Sequence, residues 1–193
     1  MNAQTLTDET LIEHTRNWIE TVILACNFCP FAGREFARNS IHYSVTRGSG
    51  IERCLESLIE ECVLLDAETD IETSLLLLPD AFADFDDFLD LVGIAEDLLV
   101  EQGYEGIYQL ASFHPEYCFA DQLVNDPANY TNRSPYPTLH LLREASLEHV
   151  LDEYPDPEMI PQRNIEYARV QGLETMRALL SACYRTKSPK HDE

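Results

Sequence analysis

Positive charge is scarce in this sequence: 13 Lys and Arg stand against 35 Asp and Glu, a formal net charge of −22. A surface of that sign repels phosphate backbones and anionic bilayers, so nucleic acid and membrane surfaces are excluded as expected partners. Long apolar runs are missing too. No stretch approaches the roughly 20 residues that a membrane span needs. The opening MNAQTLTDETLIEH has no basic start followed by an apolar core, so no signal peptide is expected and the chain reads as cytoplasmic. There is no Gly-rich phosphate loop, no G-x-S-x-G and no H-E-x-x-H, which removes the signatures of P-loop enzymes, serine hydrolases and zinc proteases. Internal repeats and linkers are absent as well.

What is present fits a globular domain. The 193 residues are 45% hydrophobic, enough for one core, and a single domain over 1–184 with a mobile tail over 185–193 is expected. Leu11, Trp18, Ile19, Val22, Ile23 and Cys26 recur at helical spacing and predict a first helix over 6–26. Pro30 suits the first turn of a short helix to about residue 38. Ile41, Tyr43 and Val45 then alternate as a strand that stops at Gly48-Ser49-Gly50. A helix from 51 with its stripe of Cys54, Leu58 and Cys62 precedes the continuous apolar run Leu75-Leu76-Leu77-Leu78, which reads as a central strand. Further on, the pattern predicts a helix over 83–102, a strand over 106–113 and a long loop over 116–137. A fourth strand over 138–143 and helices over 146–153 and 161–184 complete it. Strands alternating with helices point to an α/β (or α+β) fold: a small mixed, largely parallel sheet of about four strands flanked by helices.

Six cysteines in a reducing compartment are not a disulfide framework. Cys26, Cys54, Cys62 and Cys183 lie on apolar stripes, where a thiol behaves as a small hydrophobe. Cys118 sits in the long loop. Cys29 differs, because its place before Pro30 puts it at the start of the short helix, where unpaired amides favour a thiolate. In a thioredoxin-type C-x-x-C the first cysteine is the activated one, and here it would be the second. If the short helix packs antiparallel to the first strand, Cys29 comes level with that strand's carboxyl end, the edge where His114 closes the third strand. Cys29 and His114 are therefore the candidate catalytic pair, thiol and base. Two other readings stand beside it: a buried structural thiol, and a metal site of Cys26, Cys29, His114 and Cys118, whose ligand types suit zinc.

The few arginines are unevenly placed. Residues 27–50 and 127–143 together carry net +4, leaving −26 on the remainder. Such an island can orient an anion, since the guanidinium fork matches carboxylate or phosphate; the plainer reading is that these arginines brace loops. Within it, Asn132, Arg133, Ser134 and Tyr136 supply amide, guanidinium, hydroxyl and phenol groups on a proline-stiffened stretch, and with Arg143 they are the candidate substrate-binding residues. His14 and His149 read as solvated helix residues, and His42 as lying on the polar face of its strand.

At these residues the chain resembles a bacterial family known as domain of unknown function 1415. Asn27-Phe28-Cys29-Pro30-Phe31-Ala32 is similar to its N-x-C-P-F-A motif and Phe113-His114-Pro115 to its F-H-P. Asn129 to Pro137 and His140-Leu141-Leu142-Arg143 are similar to its N-x-T-N-R-S-P-Y-P and H-L-L-R signatures. The resemblance implies no reaction and requires no cysteine at Cys26; it marks which residues to follow. The leading expectation is a cysteine-dependent enzyme acting on a small anionic molecule, with no cofactor. The alternatives are a metal-binding protein centred on Cys29 and His114, and a non-catalytic acidic module that binds a partner.

Overall fold

The computed structural model describes residues 6–185, so most of the expected mobile tail lies outside the described residues. The chain opens with α1 (Asp8–Trp18), capped by the Thr7 hydroxyl, and runs on as a π-helical segment, Ile19–Leu24. One regular helix to residue 26 was the expectation. The wider turns instead carry Ile19, Val22 and Ile23 inward before Asn27, at φ 52°, ends the helix. Then follow α2 (Ala32–Arg38), β1 (Ile41–Val45), α3 (Ile51–Ala67), β2 (Thr73–Leu77), α4 (Phe85–Glu101) and β3 (Tyr108–Phe113). The long connection holds a 3-10 turn, Pro127–Thr131, and leads to β4 (Thr138–Arg143), α5 (Glu144–Glu153), α6 (Ile160–Gln171) and α7 (Leu173–Ala182). The single closing helix expected over 161–184 is broken at Gly172, whose φ of 82° and ψ of 160° are nearly closed to other residues. Among the described residues no helix is long and apolar enough to cross a membrane.

The sheet order is β1-β2-β4-β3. β1 and β2 pair parallel, while β4 pairs antiparallel with both β2 and β3. The fold is thus mixed α and β as expected, but the sheet is not largely parallel. The long connection after β3 lets the chain return and insert β4 between β2 and β3, so two of the three pairings are antiparallel.

Both sheet faces are covered. Leu76, Leu78, Leu139 and Leu141 pack against Cys54, Leu58, Phe88 and Leu91 from α3 and α4. Leu75 and Leu77 face the other way, toward Leu11, Trp18, Ile23, Ala168 and Met176. Double coverage explains why β2 reads as an uninterrupted apolar run rather than as an alternation. Each of these leucines contributes about 2 kcal/mol by leaving water. This second face, with α1, the π-helical segment, α2, α6 and α7 above it, also holds an apolar cleft.

Candidate functional site

That cleft, about 430 Å³, spreads across the sheet rather than sitting at its carboxyl edge. Its floor runs from Ile41 and Thr73, at the amino ends of β1 and β2, through Leu75, His140 and Ala111 to Phe113. Strand register explains the set: Leu75 pairs with His140 and His140 with Ala111, so the three form one row across β2, β4 and β3. Walls come from the π-helical segment, from 28–35, and from α5 and α6. Apolar side chains dominate, as in ordinary small-molecule sites.

Cys29 lines this cleft, half-buried. The Phe28 carbonyl beside it accepts a hydrogen bond from Asn164 Nδ2 at 2.6 Å, tying the cysteine segment to α6. Burial pushes the Cys29 thiol up, with hydrogen bonds from the Phe31 and Ala32 amides pulling the other way. The expected start of the short helix is shifted: α2 begins only at Ala32 and spans seven residues, so its dipole is short and burial works against a thiolate at Cys29.

His114 does not join it. β3 alternates, and Tyr108 and Leu110 face α3 and α4; His114 continues that row, fully buried between the Phe85 and Phe88 rings at 5.2 and 5.1 Å. Its Nε2 donates to the Phe82 carbonyl at 2.9 Å and its Nδ1 accepts from the Glu116 amide at 3.0 Å. Both nitrogens are spent, and burial lowers its pKa. The sheet lies between this imidazole and Cys29, so the expected pair is not brought together.

The four-ligand metal arrangement is not assembled either. Cys26 is buried with a hydrogen bond to Tyr167, and Cys118 accepts from Asn129 Nδ2 at 3.7 Å. Among the described residues no three His, Cys, Asp or Glu side chains gather to hold a metal ion.

The anion clamp dissolves in the same way. Arg133 donates to the Tyr117 and Val124 carbonyls and stacks over Tyr130, while its own carbonyl accepts from Trp18 Nε1 at 2.9 Å. Ser134 donates to the Tyr136 carbonyl, and the Tyr136 hydroxyl shares a hydrogen bond with His14 Nδ1 at 2.7 Å. His14, expected in solvent, is buried there, and burial lowers its pKa. These residues brace the loop. Arg143 lines the cleft, but its guanidinium holds the Leu65, Glu68 and Ile71 carbonyls at the end of α3 and in the turn into β2. Asn132 also lines the cleft: one end of its amide meets Thr131 Oγ1 at 3.0 Å, and the other has no hydrogen-bond partner among the described residues.

His140 is the group that residue-by-residue reasoning passed over. Its Nε2 lies 2.7 Å from Thr73 Oγ1. Because that hydroxyl donates to the Leu141 carbonyl, it accepts from Nε2–H, leaving Nδ1 unprotonated. Nδ1 has no partner among the described residues. The imidazole lies deep in the protein yet keeps part of its surface toward the cleft, and desolvation lowers its pKa to about 4. The sequence held two signals for it: His140 opens the His140-Leu141-Leu142-Arg143 segment, and alternation puts position 140 on the strand face opposite Leu139 and Leu141.

A family model described as "Protein of unknown function (DUF1415)" matches residues 10–178 of the 193-residue chain. No curated protein and no solved structure matches it.

Proposed function

Because the chain belongs to the DUF1415 family, whose description assigns no activity, we propose a function from the cleft itself. The protein is a cysteine-dependent enzyme acting on a small molecule with a largely apolar body; Cys29 is the reacting thiol and His140 its base. One observation carries this reading: the Cys29 thiol and the uncommitted Nδ1 of His140 open on the same apolar cleft of about 430 Å³. A thiol pushed up by burial rests as S–H and needs a base at the moment it reacts. An imidazole of pKa about 4 is unprotonated at neutral pH, so its Nδ1 lone pair is open to that proton, as a weaker base than a free imidazole. The anionic part of the expected substrate has a narrower basis. An anionic group on the molecule would meet Arg34 at the rim, 62% exposed and 3.0 Å from Glu35.

The test uses the only tryptophan, Trp18, which lines the cleft. Treatment of the native protein with N-phenylmaleimide and peptide mapping is expected to mark Cys29 ahead of the other cysteines, with a change in Trp18 emission. His140→Gln is expected to slow that modification by about tenfold. A Cys29 that stays unmodified while Trp18 emission holds constant would overturn the proposal, as would an unchanged rate in His140→Gln.

A further inference from the structure

Resting on that reading, we infer that the substrate is an acyl compound, an ester or thioester with an apolar acyl group, and that Cys29 carries the acyl group in passing. Among the described residues Cys29 is the one cysteine lining the cleft, so no second thiol is placed to resolve a disulfide there. Dithiol exchange is thereby disfavoured. A single thiol that shares a cleft with an unprotonated imidazole can complete acyl transfer with water as the only co-reactant once a bound acyl group draws the two together. The walls suit the acyl chain: Leu75, Phe113 and Leu142 come from the sheet, with Leu147 and Val150 from α5. Polar atoms for the carbonyl and the leaving group are few but present. Asn132 keeps one end of its amide uncommitted, and Asn164, bonded through Nδ2 to Phe28, keeps its Oδ1.

The step balances without oxidant or metal. Cys29 Sγ attacks the carbonyl carbon and forms the S–C bond as its proton passes to His140 Nδ1. Collapse of the adduct breaks the bond to the leaving oxygen or sulfur, which takes that proton and departs as alcohol or thiol. Water then attacks the acyl carbon, His140 accepts its proton and returns it to Sγ, and a carboxylic acid leaves.

The test is acylation followed by intact mass, using the p-nitrophenyl esters of acetate, butyrate and octanoate and the octanoyl thioester of N-acetylcysteamine. An adduct of the acyl mass is expected on Cys29, formed about tenfold faster or more with octanoate than with acetate, and absent from Cys29→Ala. Cys29→Ser, folded by circular dichroism, serves if the alanine variant melts early. His140→Gln is expected to slow acylation about a hundredfold. Reaction of both octanoyl donors assigns both classes, and reaction of one narrows the assignment to it. No adduct and no release of p-nitrophenolate or thiol above the Cys29→Ala background from any donor, while N-phenylmaleimide still marks Cys29, would overturn the acyl inference and leave the cysteine-enzyme reading standing. Failure of both reagents would remove both. An adduct indifferent to chain length would overturn the apolar acyl assignment.

Discussion

Two histidines show how much a single position along a strand decides. His114 spends both ring nitrogens on backbone groups, whereas His140 spends one on Thr73 and keeps the other. The second arrangement has a consequence for stability. The folded pKa of His140 is about 4, against roughly 6.5 in an unfolded chain. On acidification the unfolded chain takes up a proton from pH 6.5 downward, and the native state does not until near pH 4. The contribution is therefore intact above pH 6.5 and is lost progressively on the way down, the loss reaching about 2 kcal/mol by pH 5. His14 and His114 act in the same direction, so the comparison is between variants. Urea unfolding at pH 7 and pH 5 should show His140→Gln losing about 2 kcal/mol less than the parent. Equal losses would refute this placement of the imidazole.

At the scale of elements, the parts that join strands to helices rest on arginine. Arg143, at the end of β4, donates to three carbonyls at the end of α3 and in the turn into β2. Helix C-terminal carbonyls otherwise lack partners, and a cation is favoured there by the dipole. Arg143→Ala is expected to lower stability by about 2 to 3 kcal/mol in denaturant unfolding. Arg143→Lys should recover only part of it, because an ammonium lacks the planar fork. A loss below about 0.5 kcal/mol would show that the clamp is dispensable. The breaks between elements were less legible than the elements. The π segment is only six residues long, and over so short a stretch the spacing of Trp18, Ile19, Val22 and Ile23 suits an α or a π turn equally. Gly172 inside a helical pattern costs only about 1 kcal/mol, too weak a signal to divide α6 from α7.

Across the whole molecule, charge works against compactness. A net −22 on 193 residues sets up self-repulsion that salt screens. The melting temperature is therefore expected to rise by several degrees between about 0.02 and 0.5 M sodium chloride; a flat or falling response would mean that local ion pairs such as Arg47 with Asp8 and Asp80 outweigh the global field. The positive island, visible as composition, serves largely as internal bracing, since Arg47, Arg133 and Arg143 each hold partners within the chain.

The amino-acid sequence by itself determined the order of elements, the position of all four strands to within a few residues, and the motif segments around Cys29 and His140. Periodicity and turn chemistry are local, so they survive without knowledge of the partners. Only the tertiary structure decided which histidines meet the cleft, His140 from the sheet and His149 from α5 rather than His114. Side chains alternate across a strand, but which face carries a cavity depends on the helices packed above it and on β4 entering between β2 and β3. Both are contacts between segments far apart in the chain, and no short-range pattern encodes them.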